Sequence, residues 1–493
     1  MNLDPSPEEI RKWGGAAFET LAAYLGSIRN RAVYSATPSA DIRAKLDRNL
    51  PYESAAFDEL LNDFREVVIK FSRQNAHPRM FGYVQSPGTV VAGIADLLAS
   101  TLNANLTAWR SAPVAVEIER LTIDWIKQLV GYPVAAGGLF VSGGSMANLV
   151  SVAAARTSRT PATLATEGAR ALPSNLCMYA STETHHSVEK AAVLLGIGRH
   201  NVRKIPVNER HKIRIDDLVA TISRDIRAGH LPFCVVANGG TVMTGAVDPL
   251  RAVSEVARQF NLWMHVDGAY GGFATIAASV KPLFAGLELA DSIALDAHKW
   301  LYLPIDCGCV LYRDSASAVA TFSHDAEYTR VIGHDADEAF AFWDYGPELS
   351  RRFRALKVWM IMRSIGLRAL GEAIEKDLAC ARYLEKLVLE SEDFQMLAPV
   401  ELSIFCFRHI PAHLREGISE SAESARENLD QELNVWNEKL LVALQRDGSS
   451  YLSNALIGTR FALRGCVMNY RTTTRDMETL LEDLRRVATT VLA

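Results

Sequence analysis

The sequence predicts an α/β protein whose large domain contains a mostly parallel β-sheet covered by helices on both faces. Two observations support this prediction. The chain has 493 residues, of which 49% are apolar and 22% charged, and this suits a large core and two or three domains. From about Gly138 onward, short β-rich runs alternate with helical stretches, which is typical of repeated strand–helix units.

The region before Gly138 is predicted to be mostly helical. Pro5, followed by Glu8 and Glu9, indicates the start of a first helix. Further segments have apolar side chains at helical spacing, with a proline- and glycine-punctuated loop at 75–88 between them. These segments are 54–73, 90–102 and 114–129. We expect residues 1–95 to form an N-terminal helical segment.

The large domain is expected to span residues 96–370. Its strand candidates are Leu139–Val141, Leu176–Ala180, Phe233–Ala237, Leu262–Val266, Ser292–Leu295 and Gly308–Tyr312. The helical stretches between them are 146–156, 186–195, 216–228 and 249–260. In sheets of this kind, ligands bind beyond the carboxyl ends of the strands, so we expect the functional residues there.

Residues 371–493 are expected to form a smaller C-terminal α/β domain. A long helical pattern at 350–366 leads into it, and a second helix is predicted at 371–390. Strand-like segments at 402–408 and 459–469 precede a terminal helix at 475–492. Residues 321–341 have no clean periodicity and predict a long loop, which at this length is usually functional or disordered.

Composition excludes several classes of function. The net charge of −5 and the pI near 6.2 leave no basic stripe for nucleic acid. Seven scattered cysteines, with only Cys307 and Cys309 close together, predict neither a zinc site nor a disulfide framework and fit a reducing compartment. The N-terminus lacks a secretory apolar stretch, and no run approaches the roughly 18 apolar residues that cross a bilayer. We therefore expect a cytoplasmic protein that binds neither membrane nor nucleic acid and has no metal centre.

Residues 292–304, SIALDAHKWLYLP, contain a lysine where the flanks predict core. Lys299 lies between His298 and Trp300, just after a strand that ends at Asp296. Burying an ammonium group costs free energy unless the group is paired, neutralised or used covalently. The other strand ends suggest a reason for this lysine.

Three more predicted strand ends carry unusual residues. SGGSMAN, at 142–148, opens a helix, and the backbone N–H groups of Gly143, Gly144 and Ser145 could bind an anion, although an ordinary tight turn has the same pattern. His185 in STETHHSVEKA could stack on a flat ligand, or simply begin a helix. Asp267 in LWMHVDGAYGG could hold a positive partner, or cap the next segment. No G-x-G-x-x-G or G-x-x-x-x-G-K-[ST] motif indicates a nucleotide.

Pyridoxal phosphate accounts for all four features together. Its phosphate suits the glycine turn, and its flat ring suits the histidine. Its ring nitrogen suits the aspartate, and its aldehyde suits a lysine that forms a Schiff base.

The sequence resembles the group II pyridoxal-phosphate decarboxylases, which include aromatic-L-amino-acid, histidine and glutamate decarboxylases. The resemblance covers nearly the whole chain, through HPRMFGYVQSPG, LTAWRSAPVAVEIE, SGGSMAN, THHSVEKA, NGGTVMTGAVDP, HVDGAYGG, DAHKW and DYGPELSRRFRALKVWMIMRSIG, in family order. It implies a fold-type I (aspartate aminotransferase-like) large domain. It also implies a homodimer with shared active sites, in which residues 1–95 are the dimerisation segment. The implied substrate is an amino acid, and the implied role is in amino acid metabolism.

The resemblance also assigns roles to single residues. Lys299 corresponds to the Schiff-base lysine and Asp267 to the partner of the pyridine nitrogen, while His185 corresponds to the stacking histidine. Ala269 would pack on the opposite ring face from His185, and His186 receives no role. The remaining cofactor-binding candidates are Gly143, Gly144, Ser145, Thr241, Asp296 and His298. Asp296 stands where several relatives have asparagine, and Val242 follows Thr241 where the family often has a second threonine.

Tyr328, in the loop HDAEYTR, corresponds to the tyrosine that donates a proton to the substrate Cα. Relatives with phenylalanine there tend to form aldehydes oxidatively. The resemblance thus predicts a simple decarboxylase, with an aldehyde-forming enzyme as an alternative.

The substrate is expected to be an aromatic amino acid, and the pocket leaves alternatives open. The pocket candidates are Tyr83, Val84, Gln85, Asn105 and Thr107. They make the pocket more polar than in animal aromatic decarboxylases, so glutamate, aspartate and 2,4-diaminobutyrate are alternative substrates. An aminotransferase, using Arg464 or Arg471 for a substrate carboxylate, and a catalytically idle scaffold are further alternatives.

Overall fold

The computed structural model describes residues 3–160, 166–168, 175–323, 338–415 and 423–492. The chain forms two compact units. We call Met1–Pro87, Tyr383–Leu397 and Cys406–Ala493 the terminal unit, and Gly88–Arg382 and Ala398–Phe405 the central unit. The expected three-part division, with boundaries at 95 and 370, stays a prediction.

The helices agree with the predicted ones in most places. In chain order they are α1 (Pro7–Gly26), α2 (Ser39–Lys45), α3 (Phe57–Asp63), α4 (Val90–Leu102), α5 (Pro113–Val130), α6 (Gly144–Arg159), α7 (Ser187–Leu194), α8 (Ile215–Arg227), α9 (Leu250–Gln259), α10 (Ala297–Trp300), α11 (Ala316–Phe322), α12 (Ala355–Ser364), α13 (Gly366–Leu389), α14 (Glu423–Asp447) and α15 (Thr474–Leu492). α3 continues directly as a π-helix over Phe64–Ile69, so the pattern at 54–73 corresponds to two kinds of helix.

The helix predicted from residue 350 begins five residues later, at Ala355. Arg351 explains the difference, since its backbone N–H donates to Asn105 Oδ1 at 2.8 Å and its guanidinium donates to the carbonyls of Leu106 and Phe140. These bonds join segments far apart in sequence, so helical periodicity alone could not predict them.

The central unit is built on a seven-stranded sheet that confirms the predicted fold class. Its strands are β1 (Gly137–Val141), β2 (Leu176–Ser181), β3 (Val202–Ile205), β4 (Leu231–Asn238), β5 (Trp263–Gly268), β6 (Ser292–Asp296) and β7 (Gly308–Tyr312). Their order is β1-β7-β6-β5-β4-β2-β3, and only β7 runs antiparallel to its neighbours. The carboxyl ends of β1, β2, β4, β5 and β6 therefore lie at one edge.

Helix α6 packs against this sheet through a face of small and branched residues. Ala147, Val150 and Ala154 are buried in the same core as Met178 and Ala294 of the strands. Small side chains let the helix axis approach the sheet closely, which brings the start of α6 next to the strand ends.

Most residues of a four-stranded sheet, in the order β10-β11-β9-β8, belong to the terminal unit. Its strands are β8 (Phe394–Ala398), β9 (Ile404–His409), β10 (Ser453–Ile457) and β11 (Arg460–Cys466). The predicted segments at 402–408 and 459–469 correspond to β9 and β11, while β8 and β10 were not predicted. Across the described residues, none of the helices combines the length and the apolar character that crossing a membrane would require.

Candidate active site

Lys299 lies in a buried turn at the carboxyl end of β6. The strand ends at Asp296, and the single turn of α10 brings the Lys299 Nζ to 2.9 Å from the Asp296 Oδ2. Leu295 and Trp300 on either side are fully buried, and the lysine side chain itself is 18% exposed. The ammonium group is thus paired within the site and still reachable from outside it.

Asp296 has capacity for a further partner. Its side chain is buried, and its Oδ1 accepts no hydrogen bond from the described residues. The His298 Nε2 lies 3.7 Å from the Asp296 Oδ2, and the His298 Nδ1 lies 3.1 Å from the Cys307 carbonyl oxygen. Burial lowers the pKa of His298, partly offset by the Asp296 carboxylate, so the imidazole is neutral at neutral pH.

The glycine turn between β1 and α6 borders the same space. A Cβ at Gly144 would lie 2.7 Å from the Ala269 Cβ and 3.1 Å from the Asp296 Oδ2, and a Cβ at Gly308 would lie 2.4 Å from the Gly143 Cα. Side chains at these positions would displace the turn. Ser145 is exposed in the first turn of α6, where helix N–H groups have no intrahelical acceptor.

Asp267 is held in one orientation at the end of β5. Its Oδ1 accepts from the backbone N–H of Ala269 at 3.2 Å, and its Oδ2 accepts from the Asn148 Nδ2 at 2.9 Å. The residue is 7% exposed. β5 and β6 are adjacent, and three short 3₁₀-helices connect them.

His185 follows β2 and lies two residues before the start of α7. Its Nδ1 lies 2.8 Å from the Ser187 Oγ, and its ring centroid is 4.0 Å from that of His186. Burial lowers the pKa of His185, and the Asp267 carboxylate partly offsets this effect, so the ring is neutral at neutral pH. The Ser187 Oγ that contacts His185 also lies 2.9 Å from the Asn148 Nδ2, which donates to Asp267, so the ends of β2 and β5 are close in space.

Thr241 lies in the turn after β4 and is buried. Its hydroxyl oxygen is 3.0 Å from the Thr244 Oγ1 and accepts from the backbone N–H of Ala246 at 3.2 Å. The side chain therefore stabilises its own turn.

The pocket candidates are divided between the two units. In the central unit, the Asn105 Oδ1 accepts from Arg351, while the buried Thr107 hydroxyl has no partner among the described residues. In the terminal unit, Tyr83 is half-exposed with a left-handed backbone (φ 65°), and the Arg73 guanidinium stacks 4.6 Å from its ring.

The remaining predicted residues are Val84, Gln85, Arg464 and Tyr328. Gln85 and Val84 are half-buried, and the Gln85 Oε1 lies 3.4 Å from the Arg73 Nη2. Arg464 is buried, with its Nη1 3.2 Å from the Ser453 Oγ. Tyr328 lies outside the described residues.

Sequence reasoning missed Asn148 and His265, which lie directly behind the site. Asn148 ends the SGGSMAN motif, one turn into α6, and His265 precedes Asp267 by two residues. Both are fully buried, and the His265 Nε2 lies 2.8 Å from the Asn148 Oδ1. Their positions in the sequence could have indicated both residues. Asn148 lies one helical turn past the glycine turn, and His265 lies on the same strand face as Asp267.

Comparisons with known proteins are consistent with this geometry. Residues 39–410 match the family described as pyridoxal-dependent decarboxylase conserved domain. An aromatic-L-amino-acid decarboxylase of Bacillus atrophaeus is 33% identical over 99% of this chain and 97% of its own. A crystal structure of Oryza sativa TDC with PLP and tryptamine has a TM-score of 0.90 and 28% identity, covering 100% of both chains.

A third similar protein has a different substrate in its name. It is the glutamate decarboxylase domain of diaminobutyrate-pyruvate transaminase and L-2,4-diaminobutyrate decarboxylase from Vibrio parahaemolyticus. Its TM-score is 0.83 and its identity 25%, covering 99% of this chain and 97% of that one. The shared fold therefore extends across proteins named for different amino acids.

Proposed function

Because the chain belongs to the pyridoxal-dependent decarboxylase family, we propose that it removes carbon dioxide from an aromatic L-amino acid and releases the amine. Family membership establishes the enzyme class, a carboxy-lyase that depends on pyridoxal phosphate. The substrate and the role of each residue are the proposal. The observation that carries it is the end-to-end likeness to an aromatic-L-amino-acid decarboxylase, at 33% identity over 99% of the chain.

The residues at the strand ends fit the cofactor. Gly144 leaves a cradle that a single Cβ would fill, and the neighbouring N–H groups of α6 suit a phosphate. Asp267 presents a buried carboxylate suited to a protonated ring nitrogen, and Lys299 presents a primary amine for the aldehyde. The Asp296 Oδ1 accepts no hydrogen bond from the described residues, so it suits a hydrogen-bond donor of a bound ligand. When bound, pyridoxal phosphate supplies an electron sink for the pair released as the substrate carboxylate leaves.

The protein's own contribution is orientation and proton placement. Lys299 would hold the cofactor through its primary amine, which lies in an ion pair with Asp296 at 2.9 Å until the cofactor binds. Asp267, anchored through both oxygens, would hold the protonated ring nitrogen, and His185 would pack on one face of the ring. We assign the opposite face to Ala269 and the phosphate to Gly143, Gly144, Ser145 and His298. Asp296 would border the bound ring, and Thr241 would shape the turn beside it.

Substrate preference is tested by measuring carbon dioxide release from a panel of amino acids. We expect release from phenylalanine, tyrosine, tryptophan or 3,4-dihydroxyphenylalanine at a higher kcat/KM than from glutamate, aspartate or 2,4-diaminobutyrate. The polar groups of Asn105 and Thr107, and the name of the Vibrio parahaemolyticus protein, support the acidic and diamino acids as the second candidate class. A preference for that class would overturn the aromatic assignment.

The role of Lys299 is tested independently of the substrate. The wild-type protein loaded with cofactor should absorb near ~420 nm, and Lys299→Ala should lose that band and all carbon dioxide release. Release that requires no keto-acid acceptor separates a decarboxylase from an aminotransferase. An unchanged band in Lys299→Ala would contradict the assignment.

Tyr328 is proposed as the donor that returns a proton to the substrate Cα. Tyr328→Phe should raise the yield of aldehyde, ammonia and hydrogen peroxide in the presence of dioxygen, because the protonation that forms the amine is slowed. Normal amine release without aldehyde in this variant would show that another group donates the proton.

We propose that the protein acts as a cytoplasmic homodimer. Support comes from large apolar side chains exposed on α1 and α4, among them Phe18, Leu21, Leu97, Leu98 and Leu102. All seven cysteines lie within the described residues, are buried and are thiols, which suits a reducing compartment. Sedimentation analysis should give twice the 54.2 kDa chain mass, and a fully active monomer would contradict the dimer.

A further inference from the structure

We propose that Asn148 is a positioning residue that orients Asp267 and His185 together, so that one buried amide sets both side chains assigned to the cofactor ring. The inference rests on the roles proposed above for those two residues. Asn148 acts through its hydrogen bonds, which reach Ser187 of α7 and both Asp267 and His265 of β5.

The nitrogen and the oxygen of the Asn148 amide both take part in hydrogen bonds. Its Nδ2 lies 2.9 Å from the Asp267 Oδ2 and 2.9 Å from the Ser187 Oγ, and its Oδ1 lies 2.8 Å from the His265 Nε2. The residue is 1% exposed. A carboxylate can only accept, so the NH₂ group has to face Asp267, and this determines the orientation of the amide.

The first branch runs from the amide to His185. Ser187 Oγ accepts one hydrogen from Asn148, which leaves the serine hydroxyl hydrogen to donate to the His185 Nδ1 at 2.8 Å. The backbone N–H of Ser187 approaches the same nitrogen at 3.3 Å. His185 Nδ1 is therefore an acceptor, and the neutral ring carries its hydrogen on Nε2.

The second branch of hydrogen bonds joins the Asn148 Oδ1 to His265, Ser292 and Trp263. Asn148 Oδ1 can only accept, so the His265 Nε2 donates to it. The His265 Nδ1 then accepts from the Ser292 hydroxyl at 2.9 Å, and the Ser292 oxygen accepts from the Trp263 Nε1 at 2.9 Å. Burial lowers the pKa of His265 to about 4, which keeps the neutral form that this pattern requires.

All donors of the two branches run in one direction, from Trp263 through Ser292, His265 and Asn148 to Asp267 and His185. Buried networks whose members are all satisfied are rigid, and such outer partners orient the groups that meet a ligand. Removing Asn148 would leave the Asp267 Oδ2 and the Ser187 hydroxyl without their common donor. Both side chains assigned to the ring would then lose their orientation at once.

The test measures cofactor binding to the full-length apo-protein by titration with pyridoxal 5′-phosphate. Asn148→Ala should raise the apparent Kd about ten-fold or more, since a bond to a charged group is lost. It should also reduce the visible circular dichroism of the bound cofactor. Asn148→Asp keeps the acceptor for His265 but removes both donors, so it should bind at least as weakly as Asn148→Ala.

A matched control separates positioning from stability. Asn437 is an equally buried asparagine in the terminal unit, whose Oδ1 accepts from the His409 N–H at 2.8 Å and whose Nδ2 donates to the His409 carbonyl at 2.9 Å. Asn437→Ala should lower the melting temperature without changing the Kd or the dichroism.

Ser187→Ala provides a second, milder variant in case Asn148→Ala does not fold. It removes only the branch to His185 and should reduce the dichroism, with a smaller change in Kd. Combined with Asn148→Ala, it should add little, because both changes break the same chain of bonds. The proposal is overturned if Asn148→Ala, or Ser187→Ala in its place, retains wild-type dichroism and Kd. The proposed roles would instead fail if wild-type protein and Lys299→Ala bound the cofactor alike.

Discussion

At the scale of single residues, the ion pair between Lys299 and Asp296 holds the lysine nitrogen in place before the cofactor arrives. The ammonium and the carboxylate are 2.9 Å apart, and the carboxylate is buried. The lysine nitrogen has to leave this pair before it can bond to an aldehyde. Asp296 therefore both retains the lysine in the site and slows its reaction.

Asp296→Asn should accelerate cofactor capture by the apo-protein. The amide keeps the shape of the side chain and removes the charge, so we expect the second-order rate of appearance of the absorbance band to rise about five-fold, equivalent to about 1 kcal/mol. Stopped-flow absorbance measures it. Asp124→Asn is the matched control, because Asp124 forms the same i,i+3 pair with Lys127, at 2.7 Å, away from the site. Slower capture in Asp296→Asn would show that the carboxylate assists the reaction.

The sequence could predict the charged residues of the site but not the amide that orients them. Lys299 and Asp267 were identified because each is a charged group directly after an apolar strand, where burial needs a reason. Asn148 has no such signal, since a neutral polar residue in a helix is usually unremarkable. Its importance depends on partners from α7 and β5, whose proximity only the folded chain reveals.

At the scale of secondary-structure elements, the glycine turn depends on how closely β6 and the segment after β5 approach the start of α6. Gly144→Ala would bring its Cβ to 2.7 Å from the Ala269 Cβ, so the turn or its neighbours have to move. We expect cofactor affinity to fall by about ten-fold or more, with a small loss of stability of roughly 1 kcal/mol. Gly93→Ala on α4, where a Cβ would meet nothing within 4 Å, should instead leave affinity unchanged and stabilise by up to about 1 kcal/mol. Equal affinities would contradict the cradle.

The ion pair between Arg351 and Glu119 joins the loop before α12 to α5. Both side chains are fully buried, and Glu119 also accepts from the Phe140 N–H of β1 at 3.0 Å. Arg351→Met would leave a buried carboxylate without its cation and should cost about 3–5 kcal/mol in urea unfolding. Arg251→Met, which breaks the exposed pair with Glu288, should cost less than about 1 kcal/mol. Adding Glu119→Gln to Arg351→Met should restore part of the loss, and a further loss would contradict this explanation.

Elements with strong local patterns were predictable, and those defined by distant contacts were not. The apolar strands β1, β2 and β4 to β7 and the long helices have clear periodicity. β3 has only four residues, VRKI, and in β10, SNALI, the apolar Leu456 is exposed between the buried Ala455 and Ile457. Neither sequence therefore shows the apolar–polar alternation that would distinguish a strand from a loop. The start of α12 depends on the bonds of Arg351, which belong to tertiary structure.

At the scale of the whole molecule, three buried histidines connect stability to pH. The pKa values of His77, His265 and His409 are each lowered to about 4, in every case chiefly by burial. In the unfolded chain a histidine binds a proton below about pH 6.5. Between about pH 6.5 and 4 the unfolded state therefore holds more protons, and the free energy of unfolding decreases as pH falls, by up to about 1.4 kcal/mol per pH unit for each histidine. Above pH 7, these three histidines do not make the free energy of unfolding depend on pH.

His409 allows this effect to be isolated. Its Nδ1 accepts from the Trp436 Nε1 at 2.9 Å, so the native ring resists protonation on that nitrogen, and nearby Arg415 and Arg485 act in the same direction against the opposing Asp393. His409→Gln keeps an acceptor for the tryptophan and does not titrate, so the apo-protein should lose less stability between pH 7 and pH 5, by about 2 kcal/mol. Denaturant unfolding at both pH values measures this, and His200→Gln, at an exposed position, should keep the wild-type difference. If His409→Gln and wild type lost the same amount, His409 would be protonated in the native state, and the burial argument would be wrong.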